Sequence, residues 1–480
     1  MPKRKPNILL IVSDDHGYAD RGVTGLHEDV HTPALDRLAA EGVSLSDGYV
    51  TAPICSPSRA GIMTGRYQQR WGSLWFDTAA FPDESVPTLA EELADSGYRT
   101  GYFGKVHYGS EKVGDRACPP NHGFETTLYG LAGQSFGRLN YLRHSAQAQS
   151  QYGPEAACAM AVQPLLEDQN PVDFDGFLTA ELGRRAREFI AQPDERPFFC
   201  MLAFNAVHNF CWQLPPAELQ RRGLPAFDDW RADGPTSYGD WYDDVIVPNL
   251  PNGRGYYLAQ LELMDAEIGA LLDQLDTLSK TEDTLVVYLT DNGGSTCNYG
   301  DNAPLKGTKY TLWEGGIRVP MLWRWPGSLP AGETCDALAS ALDLMPTLRS
   351  VAGSPSSSLT DGINLLPVLL GQEPAERTLH WECGFQFALR DQEWKLSWVA
   401  PGDQDVAALR SFEHAPLVEG MALYNLTEDI GEEVNRIDER PDVAARLLGR
   451  HENWLNDLAI PVDGALARTG VAPGPGPTMA

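Results

Sequence analysis

Four short apolar runs, far apart in the chain, each break off into residues that carry chemistry. Residues 7–12 (NILLIV) run into Asp14, Asp15, His16 and Gly17. Residues 99–103 lead to Gly104, Lys105, Val106 and His107, and residues 197–204 (PFFCMLAF) to Asn205, Ala206, Val207 and His208. Residues 284–290 (TLVVYLT) lead to Asp291, Asn292, Gly293 and Gly294. Short runs of this kind, apolar without strict alternation, read as parallel strands buried on both faces. Helical segments lie between them. Residues 175–191 place Phe177, Ala180, Leu182, Ala186 and Phe189 near one face, and residues 256–278 do the same with Leu261, Met264, Ile268, Leu271 and Leu275. Residues 33–40 follow Thr32, a candidate cap, with Pro33 at the first helical position. The pattern predicts an α/β fold with a large central mostly parallel sheet flanked by helices. In such open sheets ligands bind outside the carboxyl ends of the strands. Four dispersed segments therefore converge on one site.

Asp14, Asp15, Asp291 and Asn292 would bring only oxygen ligands to that site, the preference of a hard divalent cation. A shell built almost wholly from protein oxygens suits Ca2+ better than Mg2+. Singly, these residues have plainer readings: Asp-Asp-His-Gly is as good a turn as a metal site. A fifth segment, residues 52–67 (APICSPSRAGIMTGRY), contains Cys55, Pro57 and Arg59 as C-x-P-x-R. Ser56 as N-cap and Pro57 at the first helical position predict a helix starting just after Cys55. The thiol then sits where backbone N–H groups and the helix dipole favour an anion. A buried, inert cysteine is the alternative.

Together these motifs resemble the formylglycine-dependent (type I) sulfatases of the alkaline phosphatase superfamily, as in bacterial arylsulfatases and polysaccharide sulfatases. Residues 104–109 (GKVHYG) are similar to that family's G-K-W-H-x-G, with Val106 in place of Trp. His208-Asn209-Phe210 lacks the proline of the family's His-x-Pro. The family's lysine five residues before Glu-Gly-Gly falls on Lys309, where Thr308 and Tyr310 replace its flanking glycines. The resemblance implies an alkaline phosphatase-like fold and hydrolysis of sulfate monoesters. It implies that a separate maturation enzyme oxidises Cys55 to formylglycine, whose hydrate attacks sulfur. It places Asp14, Asp15, residue 55, Asp291 and Asn292 on the metal, and Arg59 on the hydrated aldehyde. Lys105 and Lys309 then offset transition-state charge, His208 (with Lys309) protonates the leaving alcohol, and His107 acts as base when sulfate is released. Asp291 accepts the proton of the attacking hydroxyl. Lys306 is a possible neighbour on the sulfate. Trp75, His122 and Trp212 are candidates for a sugar subsite, with core packing or loop structure as the alternative for each.

By analogy with bacterial members, the resemblance points to a sulfated sugar as substrate. A phosphonate or phosphate ester hydrolase of the same superfamily is the second reading. A non-catalytic sulfoglycan-binding protein is the third.

Charge narrows the partners. With 66 acidic against 37 basic residues, the formal charge is −29. That argues against nucleic acid or an anionic membrane, and obliges any sulfate pocket to make its own positive field. The eight cysteines contain no C-x-x-C pair, so zinc has little support, and the seven beyond Cys55 fit free thiols better than a disulfide framework. No apolar run reaches the ~18 residues of a membrane helix. The first apolar run ends in Ser13-Asp14-Asp15, a strand rather than a signal peptide, so the chain reads as cytoplasmic. It would be periplasmic or secreted if a leader had been removed.

The expected organisation is a catalytic domain over residues 1–370, a sheet-plus-helix subdomain over 371–460, and a flexible tail over 461–480. Helices are expected over 85–96, 341–351 and 442–458, and short strands within 378–399 and over 422–425. Residues 118–173 and 215–255 lack period and read as irregular excursions, the first a wall of the pocket.

Overall fold

Hydrophobic strands that continue one another's pattern find one another across great distances in this chain. β1 (Asn7–Ser13) pairs in parallel with β8 (Phe198–Ala203) on one side and β9 (Thr284–Thr290) on the other. β8 pairs in parallel with β4 (Arg99–Lys105), and β4 with β5 (Thr126–Gly130). Short strands extend both edges: β2 (Val43–Leu45), β10 (Met321–Arg324) and β11 (Glu333–Cys335) beyond β9, β6 (Leu165–Glu167) and β7 (Asn170–Val172) beyond β5. The order is β11-β2-β10-β9-β1-β8-β4-β5-β6-β7. These assignments come from a computed structural model that describes residues 5–109, 112–131, 140–142, 150, 164–208, 210–227, 250–354, 359–412 and 415–458.

The four strands that end in chemistry are consecutive neighbours, β9-β1-β8-β4. Register aligns their ends, because Val12 faces Leu289 on one side and Ala203 on the other, and Ala203 faces Gly104. Gly104 has φ +133, and a Cβ there would lie 1.7 Å from the Ala203 carbonyl oxygen. Only glycine lets β4 turn at this point and carry Lys105 to the edge.

The two faces of the sheet bury alternate residues. Leu9, Ile11, Val286 and Tyr288 pack beneath the helices Pro33–Ala40, Leu178–Ala191 and Gly253–Thr277. Ile8, Leu10, Val12, Val287 and Leu289 pack beneath Cys55–Thr64, Leu89–Asp95 and Leu344–Val351. Thr32 is the N-cap of the first helix, yet its hydroxyl makes no capping bond. The buried carboxylate of Asp265, on the long helix, instead accepts the N–H groups of Ala34 (2.8 Å) and Leu35 (2.9 Å). Asp265→Ala should therefore cost about 1–2 kcal/mol, the loss of a good cap, read by denaturant unfolding.

A second, antiparallel sheet follows: β13 (Thr378–Glu382), β14 (Gln386–Asp391), β15 (Trp394–Val399) and β16 (Gly420–Asn425), covered by the helix Pro441–Asp457. The Trp381 indole N–H ties it to the segment between the large sheet and the Cys55–Thr64 helix, donating to the Val50 carbonyl at 2.7 Å. Short strands β3 (Gly48–Tyr49) and β12 (Ala339–Ser340) pair beside this junction.

Several sequence expectations shift. The helix expected over 85–96 begins at Leu89, because Thr88 and Glu91 form a reciprocal capping box. Residues 118–173 are not wholly irregular, since β5, β6 and β7 lie within them. Within 215–255 the chain forms the helix Pro216–Arg222. The expected tail, 461–480, lies outside the described residues. No helix among the described residues is long and apolar enough to cross a membrane, and each described cysteine is free.

Candidate active site

The helix carrying C-x-P-x-R starts earlier than its sequence suggests. It spans Cys55–Thr64, and the N-cap is Ile54, whose carbonyl accepts the Ser58 N–H at 3.3 Å. Ser56 is not the cap, and its buried hydroxyl has no hydrogen-bond partner among the described residues. Cys55 is thus in the first helical turn rather than outside it. All ten residues of this helix are buried, and Cys55 is 1% exposed.

Around Cys55 the strand ends deliver three carboxylates and Lys105, the Cys55–Thr64 helix delivers Arg59, and the loop before Glu314 delivers Lys309. The Cys55 Sγ lies 3.5 Å from Asp14 Oδ1. Arg59 is held by three acceptors: its Nε donates to Asp291 Oδ2 (2.6 Å), one terminal nitrogen to Asp14 Oδ2 (3.1 Å), the other to the Lys105 carbonyl (3.0 Å). The Lys105 ammonium also pairs with Asp14 Oδ2. Lys309 Nζ lies 2.9 Å from each oxygen of Asp15. His208 Nε2 approaches Asp15 Oδ2 at 3.5 Å. The side-chain amide of Asn292 donates to Asp15 Oδ1 at 2.7 Å. Asp15 itself has φ +54, and its N–H points to Asp291 Oδ1 at 3.4 Å.

Burial and these charges pull the two adjacent aspartates apart. Burial raises the Asp14 carboxyl, but Lys105, His208 and Arg59 more than reverse this and hold it well below the usual carboxylate range. Asp15 is pushed up to about 7, by burial first and then by the Asp14 and Asp291 charges, against the pull of Lys309. Burial also raises Asp291, and raises the Cys55 thiol with help from Asp14 and Asp291. An unmodified Cys55 is therefore a neutral thiol, a poor nucleophile. His107 (φ +56) is held well below the ordinary histidine range by burial, then by Lys105 and Arg59, and its Nδ1 has no hydrogen-bond partner among the described residues. It is a neutral base beside cations.

The donor set fits a divalent cation. Ligand atoms of Asp14, Asp15, Cys55 and His208 all lie within 4.8 Å of one another. The buried Asn292 Oδ1 has no hydrogen-bond partner among the described residues, although its amide nitrogen is anchored on Asp15. An oriented, desolvated carbonyl oxygen beside three carboxylates is what a hard cation takes. Cys55 Sγ stands in this set for the oxygen that a formylglycine hydrate would carry.

The remaining candidates go elsewhere. Lys306 does not join the cluster: its ammonium donates to the Glu432 carbonyl (3.0 Å) and lies over the Trp313 ring. His122 is fully buried among Phe81, Tyr108 and Phe124, so it is core and not a sugar contact. Trp212 likewise packs on Phe210 and Phe227 and is 4% exposed. Trp75 is only half-buried and faces Tyr310, the residue after Lys309, at 6.2 Å between ring centroids. One cluster member escaped the sequence. Asn298, in the turn Thr296–Asn298, donates its side-chain N–H to Asp15 Oδ2 at 2.6 Å. A lone Asn in a Thr-Cys-Asn turn carries no motif that would have found it.

Comparison with known proteins bears on what this cluster does. A family model described as Sulfatase matches residues 6–354. Arylsulfatase A of Bos taurus is 33% identical over 476 residues, covering 92% of this chain and 85% of its own. The crystal structure of Ps i-CgsB in complex with k-i-k-neocarrahexaose superposes with a TM-score of 0.77 and 28% identity, covering 96% of this chain and 94% of that one. The phosphonate monoester hydrolase of Agrobacterium radiobacter, at 21% identity and a TM-score of 0.61, covers 96% of this chain and 97% of its own and shares the fold.

Proposed function

The chain belongs to the sulfatase family and is a sulfuric ester hydrolase; from that premise we propose that it desulfates a sulfated carbohydrate, with formylglycine made from Cys55 as nucleophile and Ca2+ beside it. The observation that carries this reading is the placement of Cys55 Sγ, 3.5 Å from Asp14, where the carboxylates of the strand ends meet Arg59, Lys105 and Lys309. The relative solved with a neocarrahexaose supports a sugar substrate.

When present, the hydrated aldehyde supplies a hydroxyl nucleophile and the cation supplies Lewis-acid polarisation. This chain's residues do the rest. Asp14, Asp15, Asp291 and Asn292 would hold the cation. Three carboxylates against three cations leave the bare cluster neutral, so a divalent ion gives it the two positive charges that a sulfate monoester and a developing oxyanion require. Arg59, locked on Asp14 and Asp291, holds the nucleophilic residue in place. Lys105 and Lys309, each anchored on an aspartate, meet the sulfate oxygens as charge develops, and being fixed beforehand they need no reorganisation. Asp291 accepts the proton of the attacking hydroxyl. His208 donates a proton to the leaving alcohol, and His107, neutral at pH 7, accepts one when sulfate departs.

Sulfate release from defined sulfated mono- and oligosaccharides, beside an aryl sulfate and a phosphonate ester, tests this. We expect sulfate esters to be turned over faster than the phosphonate; turnover of the phosphonate alone would replace the reading. Chelation of divalent cations should abolish activity, and Ca2+ should restore it better than Mg2+. Ca2+ at 100 times its Kd should also add about 2.7 kcal/mol to stability, visible as a rise in Tm without any substrate. An unchanged Tm would argue against a resident cation.

A further inference from the structure

A cavity of about 600 Å³ opens between residues 74–78 and the end of the C-terminal sheet, lined by Trp75, Phe385 and Trp398 together with Asp77, Asp403 and Asp405. It begins one aromatic layer away from the reactive cluster. The Lys309 ammonium lies 5.3 Å from the Tyr310 ring centroid. That ring faces Trp75 at 6.2 Å and Phe76 at 5.9 Å, and Trp75 stands edge-on to Phe385 at 4.8 Å. The Gln386 side chain fixes this wall by donating to the Tyr310 carbonyl at 2.6 Å. The Tyr310 ring thus contacts both Lys309, which would hold the sulfate, and Trp75, which lines the cavity.

The chemistry of the lining is one-sided. It holds three carboxylates and, among the described residues, no lysine, arginine or histidine. The volume suits a small ligand, and the apolar rings offer flat faces to a pyranose. Carboxylates accept hydrogen bonds from hydroxyl or ammonium groups strongly, and repel anions. The two neighbours therefore differ in kind: the reactive cluster balances its carboxylates with Arg59, Lys105 and Lys309, and the cavity lining has no such cations.

Resting on the carbohydrate-sulfatase reading above, we propose that this cavity is the subsite for the sugar unit next to the one being desulfated. It accepts a non-anionic unit, neutral or amino-bearing, and rejects one that carries its own sulfate. The rejection is a repulsive device in the sense that specificity is a difference between partners, not a strength of binding. Asp77 and Asp405 are exposed and Asp403 half-exposed, so the repulsion is screened by salt.

The test uses the matured enzyme and oligosaccharides that share one scissile sulfated residue, the neighbouring unit being unsulfated, amino-bearing or sulfated. An aryl sulfate is run in parallel. The ratio of kcat/KM for the unsulfated over the sulfated neighbour should be at least about tenfold at low ionic strength, and should shrink as salt is raised. It should shrink also in the triple variant Asp77→Asn, Asp403→Asn, Asp405→Asn, or in Asp403→Asn alone if the triple variant folds poorly. Because each ratio is taken within one protein, a general loss of activity cancels. Aryl sulfate turnover with no discrimination between neighbours, or a ratio indifferent to salt and to these substitutions, overturns the subsite and leaves the sulfatase reading intact. Absence of sulfate release from every substrate overturns both.

Discussion

Cys55→Ala should lower kcat for sulfate release by about 10⁵-fold or more, the scale seen when a covalent nucleophile is deleted from a unit that acts together. Stability should hardly move. The thiol is neutral, held so by burial and by Asp14 and Asp291, so no charge is lost with it. Alanine suits the first turn of the Cys55–Thr64 helix, and removing one sulfur from the core costs about 1 kcal/mol. Paired measurements, sulfate release and thermal unfolding, separate the two effects. Mass spectrometry of the peptide bearing residue 55 would show the aldehyde in active wild-type protein. Full turnover by a folded Cys55→Ala protein would end the nucleophile assignment.

Arg59→Ala should fail in a different way. Arg59 is 1% exposed and pairs with two carboxylates that are fully buried. Burial lowers the affinity of Arg59 for its proton, but Asp291 and Asp14 outweigh that and raise it well above the ordinary value. Deleting the guanidinium leaves Asp291 with a buried, uncompensated charge, a loss of about 3–5 kcal/mol. Lysine would not repair it, because one point charge cannot reach Asp14, Asp291 and the Lys105 carbonyl in a fixed fork. Denaturant unfolding of the Arg59→Ala protein checks the magnitude, and a cost under about 1 kcal/mol would show that the cluster is not electrostatically balanced as described.

The large sheet was legible because its strands are apolar on both faces and stop at charged residues. Residues 284–290 form a strand with the bounds their apolar run sets, and the cluster members Asp14, Asp15, Lys105, His208 and Asp291 lie at or after the ends of the strands that their positions in the sequence predict. What escaped was short or depended on distant partners. Residues 43–45 are a strand only beside Met321–Arg324, and 333–335 only beside 43–45, a dependence that three-residue segments cannot display. Asp265 caps a helix 230 residues before it, and no local pattern announces such a bond. Asn298 reaches Asp15 for the same reason. His122 and Trp212 look available in the sequence because polar or amphipathic aromatics in aperiodic stretches carry no sign of burial; their neighbours Phe124 and Phe210 bury them.

The depth of Cys55 sets a clock. At 1% exposure, in a helix whose every residue is buried, its sulfur is out of reach of any second protein once the sheet has closed. The oxidation proposed for it must therefore happen on an open chain. β1 cannot complete its pairing until β9 exists, and Thr284–Thr290 emerges more than two hundred residues after Cys55. At ordinary synthesis rates that leaves roughly 10–50 s during translation in which residue 55 is accessible. Yield of active enzyme then becomes a race between maturation and folding, so slower elongation between residues 55 and 290 should raise the fraction converted, while folded Cys55 protein offered the same machinery afterwards should stay inert.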